Sequence, residues 1–88
     1  MKDVELSLYV QTMDRRSNKI LARLIKYCDE HFGQGYKLHL VDLSKSTGQA
    51  SPLAVPALIR EFPLPKRQAV GDFTDINRIM LTLNLLIQ

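Results

Sequence analysis

The chain opens on a strict alternation. Val4, Leu6, Leu8 and Val10 are apolar, while Glu5, Ser7 and Tyr9 between them carry polar atoms. A period of two predicts a strand with one face turned to a core. A polar stretch from Gln11 to Arg16 follows, and Ser17 stands where a helix N-cap is expected. Ile20, Leu21, Leu24, Ile25, Cys28 and Phe32 then recur at three- and four-residue spacing, the signature of a helix with one buried face. Gly33 and Gly35 end it, since glycine accepts the left-handed conformation common at helix C-termini. Tyr36, Leu38 and Leu40 alternate with Lys37 and His39, and the run continues through Val41, Asp42 and Leu43, which predicts a second strand. Strand, helix and strand in succession predict a right-handed βαβ unit with parallel strands.

The second half is more broken. Ser44 to Pro52 is polar and contains Gly48 and Pro52, so a loop with at most one helical turn is expected. Ala57 to Phe62 and Gln68 to Gly71 are short strand candidates joined through Pro63-Leu64-Pro65-Lys66-Arg67. Two closely spaced prolines favour a stiff turn and remove two donors, which places this antiparallel hairpin at a sheet edge. Asp72, Thr74 and Asp75 offer caps to a final helix marked by Ile76, Ile79, Met80, Leu83, Leu86 and Ile87, with Leu81 and Leu85 off the stripe. The last eight residues also alternate as a strand would, so periodicity leaves both conformations open there. The order βαβ, hairpin, helix is that of an α/β, thioredoxin-like fold.

Composition bounds the function. Eighty-eight residues with 45% hydrophobic and 24% charged side chains fit one globular domain spanning 1–88. A chain this short buries only about 60–65% of its unfolded surface, and Cys28, the lone cysteine, cannot supply a disulfide. The net charge of +3 suits an acidic partner surface but is modest for a nucleic-acid binder. No signal-peptide pattern or membrane-length apolar run is present, so a cytoplasmic protein without nucleic-acid or membrane partners is expected.

Chemistry is sparse. A thioredoxin-like redox enzyme needs a thiolate at the start of its first helix, where free amides lower the cysteine pKa. That position holds Asp14-Arg15-Arg16-Ser17, and Cys28 lies near the other end on the apolar face. Cys28 and His31 share a helix and His39 follows on the next strand, but a zinc site wants three or four ligands, and the two histidines fit ordinary surface or half-buried positions. Asp29-Glu30 fits a solvated face, with Lys26 placed to pair with Glu30. Gly33-Gln34-Gly35 precedes a strand, the wrong context for a nucleotide-binding loop. No cofactor and no catalytic set are expected. Lys19, Arg23 and Lys26, extended by Arg15 and Arg16, form a basic stripe that could remain solvated or receive an acidic partner.

Val55-Pro56-Ala57-Leu58-Ile59-Arg60 followed by Pro63-Leu64-Pro65-Lys66-Arg67 and Val70-Gly71-Asp72 resembles the signature of the KaiB family of circadian-clock proteins. The resemblance extends to Leu8-Tyr9-Val10, to Ser17 with Leu21 and Leu24, to Val41-Asp42 with Lys45, and to Leu83, Leu85 and Leu86. Val55 replaces the family's threonine, and the segment between Asp42 and Pro56 is shorter than the family's, which marks a divergent member. The resemblance implies a regulatory, non-enzymatic protein that binds a KaiC-type hexameric ATPase, or alternatively a sensory domain of the kind carried by a histidine kinase. It also implies two possible folds, the thioredoxin-like one and a ground state in which the C-terminal half is rearranged. Lys19, Lys45 and Arg67 match positions through which the family presents positive charge; Arg16 and Lys66 extend that set by local charge. Pro56 is a cis candidate, and Pro63, Pro65, Gly71 and Asp72 are expected to be structural. Leu81, Leu85, Phe62 and Phe73 look like more apolar surface than so small a chain can hide, so a dimer or tetramer is expected.

Overall fold

A computed structural model describes residues 3–45 and 54–85. Six elements follow in order: β1 (Val4–Val10), α1 (Arg15–Phe32), β2 (Tyr36–Asp42), β3 (Ala57–Phe62), β4 (Arg67–Val70) and α2 (Ile76–Thr82). The strands form one sheet in the order β2-β1-β3-β4. β1 pairs in parallel with β2 and antiparallel with β3, and β3 and β4 form the antiparallel hairpin. This is the thioredoxin-like arrangement that the alternation and the two prolines predict.

The parity of β1 sets the layers. Val4, Leu6, Leu8 and Val10 are all buried among core side chains of both helices, including Leu24, Cys28, Phe32, Ile79 and Met80. The register brings Leu38 beside Leu6 and Leu58 beside Leu8, so the apolar rows of three strands fall on one face. Glu5, Ser7 and Tyr9 occupy the other face with Lys37, His39 and Ile59. Glu61 is the extra residue of a bulge, because Glu5 pairs with Phe62 while Leu6 pairs with Arg60.

Three local expectations need correction. The N-cap of α1 is Asp14, whose carboxylate accepts from the Ser17 amide at 2.8 Å. Ser17 is the third helical residue, and its hydroxyl donates to the Thr12 carbonyl at 2.9 Å. Carboxylate and hydroxyl are both good caps, and the one three residues earlier satisfies the first-turn amide while the other ties the preceding loop down. β4 begins one residue earlier than expected, at Arg67, and ends at Val70. The final helix stops at Thr82, capped at its start by Asp75. The Leu83 amide closes on Ile79, Asn84 turns left-handed at φ 57°, and the Leu85 amide returns to the Met80 carbonyl. That reversal buries both Leu83 and Leu85. Neither a longer helix nor a strand is formed at 83–85, and 86–88, like the expected loop over 46–52, lie outside the described residues.

The expected surplus of apolar surface is therefore halved. Phe73 and Leu85 are buried, whereas Phe62 is 48% and Leu81 61% exposed. The Val55-Pro56, Phe62-Pro63 and Leu64-Pro65 peptides are cis.

Candidate partner-binding surface

α1 gathers most of its cations on one flank. Arg16, Lys19, Arg23 and Lys26 are all exposed, opposite the side that buries Leu24, Cys28 and Phe32. The loop leading into α2 closes against that flank. The Arg23 guanidinium donates to the Phe73 carbonyl at 3.4 Å, and Arg16, Lys19 and Arg23 line a cleft of about 230 Å³ with Asp72, Phe73 and Thr74. Asp72 accepts from the Thr74 amide at 2.9 Å and from its hydroxyl at 2.6 Å. The Thr74 hydroxyl first, then its amide, hold the Asp72 carboxyl below the usual range, and the charges of Arg16 and Arg23 add to this. One carboxylate thus faces three cations, leaving a net positive cleft suited to acidic groups of another molecule.

Lys45 joins this end of the sheet. The Leu43 and Ser44 amides donate to the Val10 and Gln11 carbonyls, so β2 ends where β1 hands over to α1. Asp42 there accepts from the Ser44 hydroxyl, which with the Ser44 amide and nearby Lys45 lowers its pKa. Arg67 and Lys66 lie elsewhere: Arg67 opens β4 at the hairpin end, Lys66 precedes it, and the Lys66 ammonium sits 3.1 Å from the Glu61 carboxylate. Arg16, Lys19 and Lys45 are thus gathered at the end of the sheet where α1 begins, and Lys66 and Arg67 stand at the opposite end of their hairpin. Gly71, at φ 113°, turns the chain from β4 toward Asp72 in a conformation that side-chain-bearing residues rarely adopt.

The residues weighed for other chemistry are kept apart. Cys28 is fully buried, and burial chiefly, with the Asp29 charge second, pushes its thiol up to about 12. His31 is exposed and stacks on Tyr27 with centroids 4.1 Å apart. His39 is on β2, its Nε2 2.8 Å from Glu5. Among the described residues no group of three histidine, cysteine, aspartate or glutamate side chains could hold a metal ion. Asp29 accepts from the Tyr36 hydroxyl at 2.7 Å, and that bond is the main cause pushing the phenol up to about 12. The ion pairs among the described residues are His39–Glu5 and Lys66–Glu61, so Lys26 and Glu30 do not pair.

One residue of consequence is not marked by any spacing rule. Arg60 is only 5% exposed, in the middle of β3. Its guanidinium donates to the Leu83 carbonyl and to the Pro65 carbonyl, each at 2.8 Å, tying the end of α2 to the hairpin. The available signal was a cation at a core-facing position, alternating with Leu58 on the buried side of the strand.

The KaiB domain model matches residues 7–85. The circadian clock oscillator protein KaiB of Prochlorococcus marinus is 33% identical over 94% of this chain and 75% of its own length. That of Nostoc punctiforme is 32% identical over 99% of this chain and 86% of its own. The circadian clock protein KaiB3 of a Synechocystis species is 25% identical over 97% of this chain and 86% of its own. The match runs from the middle of β1 past the end of α2 and includes the whole cationic cleft, and the chain belongs to the KaiB family.

Proposed function

We propose that the chain is a non-catalytic regulatory module that docks, in its thioredoxin-like state, on a hexameric KaiC-type ATPase in the cytoplasm. The observation that carries this is the cleft beside the first turns of α1, where Arg16, Lys19 and Arg23 line the wall with one carboxylate, Asp72. Membership of a family of clock proteins supplies the partner class. Lys45 extends the footprint beyond the start of α1, and Arg67 with Lys66 extends it along the hairpin. Rearrangement of the C-terminal half belongs to the same proposal, since Leu81 to Ile87 has the alternation of a strand as well as helical spacing.

The test is a pull-down and equilibrium titration against the cognate ATPase at two salt concentrations. Lys19→Glu and Arg67→Glu should each weaken binding about tenfold, the effect of one charge reversal across a complementary interface. Affinity of the native chain should fall with added salt. Unchanged affinity in both variants would overturn the docking surface.

A further inference from the structure

The cationic cleft does not end at Arg23. That side chain also lines a second, shallower cleft of about 200 Å³ farther along α1, with Lys26, Tyr27 and Glu30 on one side and Ile76 of α2 on the other. The two clefts thus form one groove along the seam between α1 and the start of α2. Its floor is apolar, with buried Ile20 and Phe73 at one end and Tyr27 with the half-buried Ile76 at the other. Its rim is cationic. Arg16, Lys19, Arg23 and Lys26 are exposed and stand at i, i+3, i+7 and i+10, one stripe about 15 Å long at a rise of about 1.5 Å per residue. Arg23 is loosely held, since its 3.4 Å to the Phe73 carbonyl exceeds the usual range of about 2.7–3.2 Å, and its guanidinium is free to turn to a stronger acceptor.

Size and spacing decide the occupant. Clefts of about 230 and 200 Å³ fall below the roughly 300–1,000 Å³ of small-molecule sites and suit single side chains. Ile20 and Tyr27, one in each cleft, are seven residues apart on α1, about 10.5 Å along its axis. Two side chains seven residues apart on another α-helix have the same spacing and nearly the same direction. An extended segment presents side chains to one face at about 6.7 and 13.4 Å and misses that interval. An evenly charged polyanion such as nucleic acid meets a carboxylate at each end of the groove, Asp72 in the first cleft and Glu30 in the second.

We propose that this seam receives an acidic amphipathic helix of the partner, lying along α1 with apolar side chains at i and i+7 in the two clefts and carboxylates between them on Lys19, Arg23 and Lys26. The inference rests on the docking reading above for the first cleft, and adds to it a second apolar anchor and a helical register. Charge draws the helix in, and the burial of two apolar side chains sets how long it stays. Asp72 and Glu30 confine the carboxylates to the middle of the groove, which fixes where along α1 the helix stops.

The probe is an alanine-based peptide of about 18 residues, long enough to hold a helix in water, with two leucines seven residues apart and glutamates between them on the same face. Added to the isotope-labelled chain, it should shift backbone amide resonances along α1 from Arg16 to Glu30 and at the start of α2. Lys26→Glu should weaken its binding about fivefold. Arg78→Glu, the same charge change on an exposed side chain outside both clefts, should leave the affinity within about 1.5-fold. Replacing both leucines of the peptide with serine should weaken it about tenfold or more at unchanged charge. No binding, equal binding of the serine peptide, resonance shifts confined to the Arg16 end, or displacement of the peptide by an equimolar single-stranded oligothymidylate overturns the proposal. No ATPase is present, so the two readings fail separately. A chain that holds the peptide but whose capture by the ATPase ignores Lys19→Glu loses the docking partner alone, and one captured through Lys19 that does not discriminate between the peptides loses the helix groove alone.

Discussion

The thiol of Cys28 sits at zero exposure beneath α1, and its pKa of about 12 follows mainly from loss of water around the thiolate. In the folded chain it should resist iodoacetamide at pH 8 and react promptly once urea unfolds the protein, which a mass-spectrometric time course would reveal. The sign of the pH effect follows from the raised value. The unfolded thiol titrates near its ordinary 9.0, so this contribution to stability is complete below that pH and is lost as pH climbs toward 12. Arg60 is the opposite case, a permanent charge made tolerable by two carbonyls, with its Nε left without a partner among the described residues. Arg60→Ala should cost about 3 kcal/mol, read as a lower urea midpoint with an unchanged slope, because two buried carbonyls lose a charged donor. Arg60→Met should recover part of that loss, since it fills the space and removes the buried charge. Cys28 could be placed from helical spacing alone. The role of Arg60 could not, because its partners Leu83 and Pro65 are brought to it by the closing of α2 and the hairpin.

At the scale of elements, the strands and the body of α1 were legible because each has a single apolar period over several turns or pleats. The start of α1 was not, since Asp14 and Ser17 are both capping residues and the chain uses one as cap and the other as an anchor to Thr12. Hydrogen bonding by the Ser17 amide holds the Asp14 carboxyl below its usual 3.8. A depressed carboxylate stabilises the fold fully above its unfolded pKa, and the contribution is lost as pH falls through the lower folded value. Asp14→Asn keeps an acceptor for the Ser17 amide but cannot titrate. Its urea midpoint should therefore fall less on going from pH 5 to pH 3 than that of the native chain, while Asp14→Ala should be weaker than the native chain at pH 5. The end of α2 was illegible for a different reason. Leu83 fits the helical stripe and the strand alternation alike whereas Leu85 fits only the alternation, and the outcome is decided by the left-handed turn at Asn84, which lets both leucines reach the core.

Across the whole molecule, α1 divides the surface into two territories. Its cationic flank looks toward the α2 loop, where Arg23 meets Phe73 and Asp72 offsets part of the charge. Its other flank looks toward β2, where Asp29 accepts from the Tyr36 hydroxyl. The sequence contained the basic stripe, the lysine after β2 and the basic residues of the hairpin, but only the folded chain separates Lys66 and Arg67 from the rest. That separation follows from topology, since a hairpin puts its turn at one end of the sheet and its outgoing strand carries Gly71 and Asp72 back to the other. Charges at opposite ends of one sheet, with no side chain in common, should act independently. Lys19→Glu and Arg67→Glu should each weaken capture by the ATPase about tenfold. The double variant should then show both losses with free energies that add to within about 0.5 kcal/mol. A marked departure from additivity would mean that the two groups of cations meet one acidic cluster of the partner.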